Sequence, residues 1–149
     1  MKIANDKSPD RMPAAYECWI PISEMHERGL AMFGNPEEYD IDPTEVIAPA
    51  GTIQVRFDYP LSNPFVAEFS QPQEWAAQDF ILAVCNKYEE IYAEEAATTK
   101  VVPIGHQGSL ANRNQTNGKY GIWGHVIEDL SLEGFNKGED GIYELWLGS

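Results

Sequence analysis

Three histidines, His26, His106 and His125, hold all the imidazole chemistry open to this chain. His125 and Asp129 lie four residues apart. A carboxylate at that spacing can orient an imidazole as a general base, and His106 could converge on the same pair. These three form the candidate catalytic set of a small hydrolase-type or metal-binding enzyme. The competing reading is plainer: His106 and His125 each follow a glycine, and histidines in such loops are more often hydrogen-bonding turn residues. Catalytic zinc needs about three protein ligands in fixed geometry. There is no HExxH and no paired cysteine motif, so neither a metal nor another cofactor is expected. Cys85 sits in an apolar run, which predicts a buried free thiol rather than a nucleophile. Ser109 and Ser131 lack a nucleophile-elbow context. The glycines at 118, 121 and 124 do not match a phosphate-binding fingerprint.

Binding chemistry has stronger candidates. Glu89, Glu90, Glu94 and Glu95 crowd the C-terminal turns of a helical stretch, where the helix dipole prefers cations. They are either a solvated face or an acidic contact patch. Nearby in sequence, Tyr120 and Trp123 stand among glycines close to Arg113 and Lys119, and aromatic and arginine side chains are the usual interface anchors. Trp123 has the alternative of plugging one end of the core. The four glutamates with Arg113, Tyr120 and Trp123 make up the candidate interaction surface, and its natural partner is a protein with a basic surface.

The charge balance narrows the partner class. The 149 residues carry 24 Asp and Glu against 10 Lys and Arg, a formal charge of −14. The acids are spread along the chain, with ten in the first 50 residues. Direct binding of nucleic acid or an anionic membrane needs clustered bases and is not expected. An acidic mimic of nucleic acid, or an inhibitor of a basic protein, is a further alternative. Hydrophobic residues make up 43%, enough for a core in one domain. No run approaches the roughly 20 apolar residues of a membrane-spanning helix, and the first residues lack an apolar signal region. With Cys18 and Cys85 alone, no secreted disulfide framework is suggested, so a reducing, cytoplasmic location is expected.

The elements that must position these residues begin clearly at Gly51. Residues 1–50 read as an N-terminal arm, partly disordered, with a short extended piece over 16–22 and a short helix from an N-cap at Ser23 to a stop at Gly29. Pro21 argues against a central strand there. Ile53, Val55, Phe57 and Tyr59 alternate along a half-buried strand, and Phe65, Ala67 and Phe69 along a second, giving a hairpin. Phe80, Val84, Tyr88 and Ile91, flanked by Ala77, Ile81 and Cys85, predict a main helix over about 73–96. A long irregular connection follows. Strands over 129–135 and 142–147 close the pattern, with Tyr143, Leu145 and Leu147 on one face of the last.

This order predicts an α+β domain over 51–149, a sheet of about four strands packed on one helix. Strand, strand, helix, long connection, strand, strand resembles the β-grasp, or ubiquitin-like, architecture. The segment Ile127-Glu-Asp-Leu-Ser-Leu-Glu-Gly would match the turn before the final strand, and that strand would insert beside the first. Conjugated ubiquitin-like proteins carry a terminal double glycine after the last strand. Here Leu147-Gly148-Ser149 follows it, so the resemblance implies a non-conjugated, non-enzymatic interaction module.

Overall fold

A computed structural model describes residues 15–34, 41–100 and 115–149. The elements are β1 (Ala15–Pro21), α1 (Ile22–Arg28), β2 (Val46–Ala48), β3 (Gly51–Phe57), β4 (Phe65–Gln71), β5 (Trp75–Ala76), α2 (Ala77–Thr98), β6 (Ser131–Lys137) and β7 (Tyr143–Gly148). Short 3-10 helices cover Gly29–Gly34 and Ile127–Asp129. The fold is α+β. Five strands form one mixed sheet in the order β1-β6-β7-β3-β4, and β2 and β5 form a separate two-stranded ladder.

Alternation sets the faces of the sheet. Ile53, Val55 and Phe57 of β3 point inward and are buried, while Thr52 and Gln54 face out. β4 runs antiparallel to β3 in unbroken register from Gly51 opposite Gln71 to Phe57 opposite Phe65. β6 and β7 form the second antiparallel pair. β7 joins the two hairpins by running parallel to β3, with Val55 opposite Tyr143. The helix α2 lays its apolar stripe on the inner face. Ala77, Phe80, Ile81, Val84, Cys85, Tyr88 and Ile91 have no exposed surface. Phe80 stacks on Phe135 of β6 at 4.1 Å, and Tyr88 meets Phe57 edge-on at 5.2 Å. Burial of each such side chain contributes about 2 kcal/mol.

The helix starts later than the periodicity suggests. Residues 73–76 are not helical, because Trp75 and Ala76 pair with β2 and the Trp75 indole N–H donates to the Gly51 carbonyl. Asp79 then accepts the Ala76 N–H at 3.0 Å and fixes the first turn.

The stretch expected as an arm contributes to the core from Ala15 onward. β1 pairs antiparallel with β6 as an edge strand, and Cys18, Ile20, Ile22, Met25, Met32, Phe33, Ile41 and Ala48 are buried in the common core. Pro21 is compatible with this because it ends an edge strand rather than interrupting a central one. Gly29 does stop α1, at φ 62°. Ser23 does not cap it. Its hydroxyl donates instead to Glu89 on α2 at 3.1 Å. Residues 1–14 and most of the long connection, 101–114, lie outside the described residues.

Candidate functional site

The C-terminal end of α2 uses its carboxylates to build a loop. Glu95 is 2% exposed. Its carboxylate accepts the backbone N–H groups of Gly118 (2.7 Å), Tyr120 (2.8 Å) and Gly121 (3.2 Å). Burial alone would raise the Glu95 carboxyl, but the Thr116 hydroxyl and these N–H donors outweigh it and hold the group below the usual carboxylate range. The glycines make this approach possible. A Cβ on Gly118 would lie 2.8 Å from the Glu95 carboxyl, and Gly121 adopts φ +63°. Glu94 is bound at the rim of the same loop, where it accepts the Tyr120 hydroxyl at 2.7 Å and the Lys119 ammonium at 3.1 Å. Those two bonds hold its carboxyl below the ordinary range. Tyr120 is pushed up, first by burial and then by Glu94.

The four glutamates therefore do not form one exposed patch. Glu95 is buried, Glu94 is paired with the loop, Glu89 accepts from Ser23, and Glu90 is exposed with Lys87 at 3.0 Å. Tyr120 is buried at 5% exposure. Trp123 is 41% exposed and meets the Tyr59 ring edge-on, so it does not plug the core. Arg113 and His106 lie outside the described residues.

His125 and Asp129 are brought together. The 3-10 turn Ile127–Asp129 carries the carboxylate back to the imidazole, with Asp129 Oδ2 3.7 Å from His125 Nδ1. The same oxygen accepts the Val126 N–H at 3.2 Å. On the other side of the ring, His125 Nε2 lies 2.8 Å from the Tyr59 hydroxyl and 3.3 Å from the Ser149 hydroxyl. Those hydroxyls are 3.0 Å from each other. Tyr59 follows β3 and Ser149 follows β7, so the parallel pair delivers both from its carboxyl ends. Sequence reasoning missed these two. Tyr59 read as one more inward position of the first strand, and no short-range spacing ties position 59 or 149 to 125. His26 is elsewhere, with Nδ1 2.7 Å from the Asn86 side chain. Both thiols are free and buried. Burial pushes Cys18 up to about 12 and Cys85 well above the ordinary thiol value, which leaves them protonated and unreactive.

The outer face of the sheet is a third arrangement. The described helices pack on the inner face, and the outward residues form cross-strand rows. Glu17, Gly134 and Trp146 are in register across β1, β6 and β7. A Cβ on Gly134 would meet Trp146 Cε3 and the Tyr16 carbonyl at 2.5 Å each, so the indole lies directly over the backbone of β6. Its N–H donates to Asn136 at 2.8 Å. The Glu133 carboxylate lies against Gly148. Arg56 is held by Asp140 and Glu144. Two residues along β1 from Glu17, Trp19 sits in a bulge with φ 54° and is 55% exposed. A bulky side chain with positive φ is a true outlier, and such strain marks positions worth a functional reading.

No described helix is long and apolar enough to cross a membrane. Among the described residues no group of three or more His, Cys, Asp and Glu has the arrangement of a metal site. Compared with protein-family models, with curated proteins and with solved structures, the chain matches none of them.

Proposed function

We propose that this chain is an acidic protein-interaction module of β-grasp type, acting by binding rather than by catalysis, that docks a basic partner protein on the face of its sheet free of described helices, the helix-free face. The observation that carries the reading is an exposed indole among carboxylates on that face: Trp146 lies over Gly134, which is in register with Glu17, the Glu133 carboxylate lies against Gly148, and the exposed Trp19 is two residues along β1 from Glu17. Indole faces attract cations, and carboxylates flanking them add charge-assisted hydrogen bonds. The one arginine on β3 is already neutralised by Asp140 and Glu144. The architectural part is supported by the order hairpin, α2, hairpin, with β3 and β7 adjacent and parallel. The extra edge strand β1 and the β2-β5 ladder are additions to that plan.

Titration of the isotope-labelled chain with a short lysine-arginine peptide tests it. Shifts are expected at amides of β1, β6 and β7, weakening as salt is added. The double variant Glu17→Lys with Glu133→Lys is expected to lose about tenfold in affinity, while Glu90→Lys on α2 changes little. Binding that ignores the double variant would overturn the proposal. Binding of a nucleic-acid-binding protein at this face, in competition with its nucleic acid, would favour the mimic reading.

A second reading has its own observation, the convergence of the Tyr59 and Ser149 hydroxyls on an imidazole backed by Asp129. In it His125 acts as a general base for a hydroxyl nucleophile. Labelling of Ser149 by a fluorophosphonate, abolished in His125→Ala, would support it. Equal labelling of the variant, or none of the native chain, would end it.

A further inference from the structure

The two edges of the five-stranded sheet are built differently. β1 is a defended edge: its register breaks at a bulge between Glu17 and Ile20, Trp19 takes φ 54°, and the strand ends in Pro21, which has no N–H. β4 has none of these defences. It keeps seven consecutive pairs with β3 and contains no proline, lysine or bulge. Among the described residues β4 pairs with β3 alone, and none of its backbone groups bonds to a turn or loop. Its inward side chains are also incompletely covered. Phe65, Ala67 and Phe69 are only half-buried, whereas Ile53, Val55 and Phe57 on the neighbouring strand are buried. A further strand about 4.8 Å beyond β4 would lay its own inward side chains against these phenylalanines.

The charge on β4 limits what that strand can be. Glu68 is at the centre of β4 and faces outward, where it accepts from Gln54 at 3.3 Å. A second copy pairing antiparallel about this centre would place Glu68 opposite Glu68, and like charges directly opposite are destabilising. Two chains of charge −14 also repel. A lysine or arginine opposite Glu68 is favourable instead. We propose that the outer edge of β4 is a strand-acceptor site for an extended peptide segment that places a basic side chain opposite Glu68 and apolar side chains against Phe65 and Phe69. The main chain supplies the affinity, and the alternating side chains supply the choice of partner.

This site is separate from the helix-free face, because β4 is at the far edge of the sheet from β1 and β6. The test uses the full chain, isotope-labelled, with three peptides: alternating lysine and valine, alternating glutamate and valine, and the lysine peptide with alternate backbone nitrogens methylated. The lysine peptide is expected to slow hydrogen exchange over residues 65–71 and to give cross-strand contacts to Val66, Glu68 and Ser70. The glutamate peptide is expected to bind about tenfold more weakly. The methylated peptide is expected not to bind, since it lacks the donors of a ladder while the protein is unchanged. Glu68→Lys, on an exposed position, is expected to reverse the preference between the first two peptides. Equal binding of the methylated peptide would overturn the proposal, as would shifts confined to β1, β6 and β7. A dimer whose β4 amides lose protection on dilution would overturn it in favour of a second copy. Loss of the Glu17 and Glu133 effect would sink the helix-free-face reading and leave this result intact.

Discussion

Two acidic regions of this protein use the same chemistry in opposite ways. At the end of α2, carboxylates face backbone N–H groups: Glu95 accepts three of them, and Glu94 accepts Tyr120 and Lys119. On the outer sheet face, Glu17 is exposed in register with Gly134, over which the Trp146 indole lies, and the half-buried Glu133 carboxylate lies against Gly148. The first region is a clamp that closes a loop, and the second leaves its charge for something outside the molecule. An acidic stretch in a sequence therefore does not mark an acidic surface. What decides is whether the loop that packs against it brings donors.

The largest effect expected is from Glu95→Ala. It leaves three backbone donors without their acceptor, a loss on the order of 3 kcal/mol. Chemical denaturation measures it, and exchange over residues 115–122 should speed up with it. A loss below about 1 kcal/mol would remove the clamp from the comparison. Gly134→Ala comes next, at about 2 kcal/mol, because the new methyl group collides with Trp146 and with the Tyr16 carbonyl. A changed tryptophan emission should accompany it as the Trp146 indole is displaced. The native chain should lose stability relative to Glu95→Gln as pH falls. Glu95 sits below its ordinary value of 4.5 in the folded state, so its contribution is complete above that value and disappears as pH drops through the folded one. Denaturation of both chains across that window checks it, and a pH-independent difference would count against the clamp. Glu94→Gln should barely move the melting temperature. It should lower the Tyr120 titration toward the ordinary phenol value, read by ultraviolet difference spectra. The smallest effect is expected from Glu17→Lys, within about 0.5 kcal/mol of the native stability. If that change destabilised the fold as strongly as Glu95→Ala, the two regions would not differ in kind.

Most of the sheet and the long helix were legible because they rest on periodicity. The alternation of Ile53, Val55 and Phe57, and the stripe from Phe80 to Ile91, specify which face is buried whatever the rest of the chain does. The facing of Tyr143, Leu145 and Leu147 followed the same rule. In the first third the short extended piece over 16–22 and the helix stopped at Gly29 were legible too, but their place was not: Cys18, Ile20 and Ile22 form too short a pattern to show which strand they join, and β1 has its position because β6 offers it a ladder. In the candidate sites, His125 and Asp129 were legible because four residues and one 3-10 turn join them. Tyr59 and Ser149 were not, because tertiary topology alone brings them to the same ring. Glu95 was read as surface because a helix wheel shows only its own chain, and the donors that draw it inward lie more than twenty residues away.

The parallel junction of β3 with β7 has a consequence for the order in which this protein is made. The first hairpin and α2 are synthesised well before Tyr143 exists to pair with Val55. β1, made earlier still, has no ladder until β6 appears. Until the second hairpin is made, the nascent chain therefore holds Val55 on an open strand edge and Cys18 and Ile20 on an unpaired segment. Contacts this distant in sequence form slowly. The interval before the second hairpin arrives is when the growing chain is most exposed to aggregation and has most need of a chaperone.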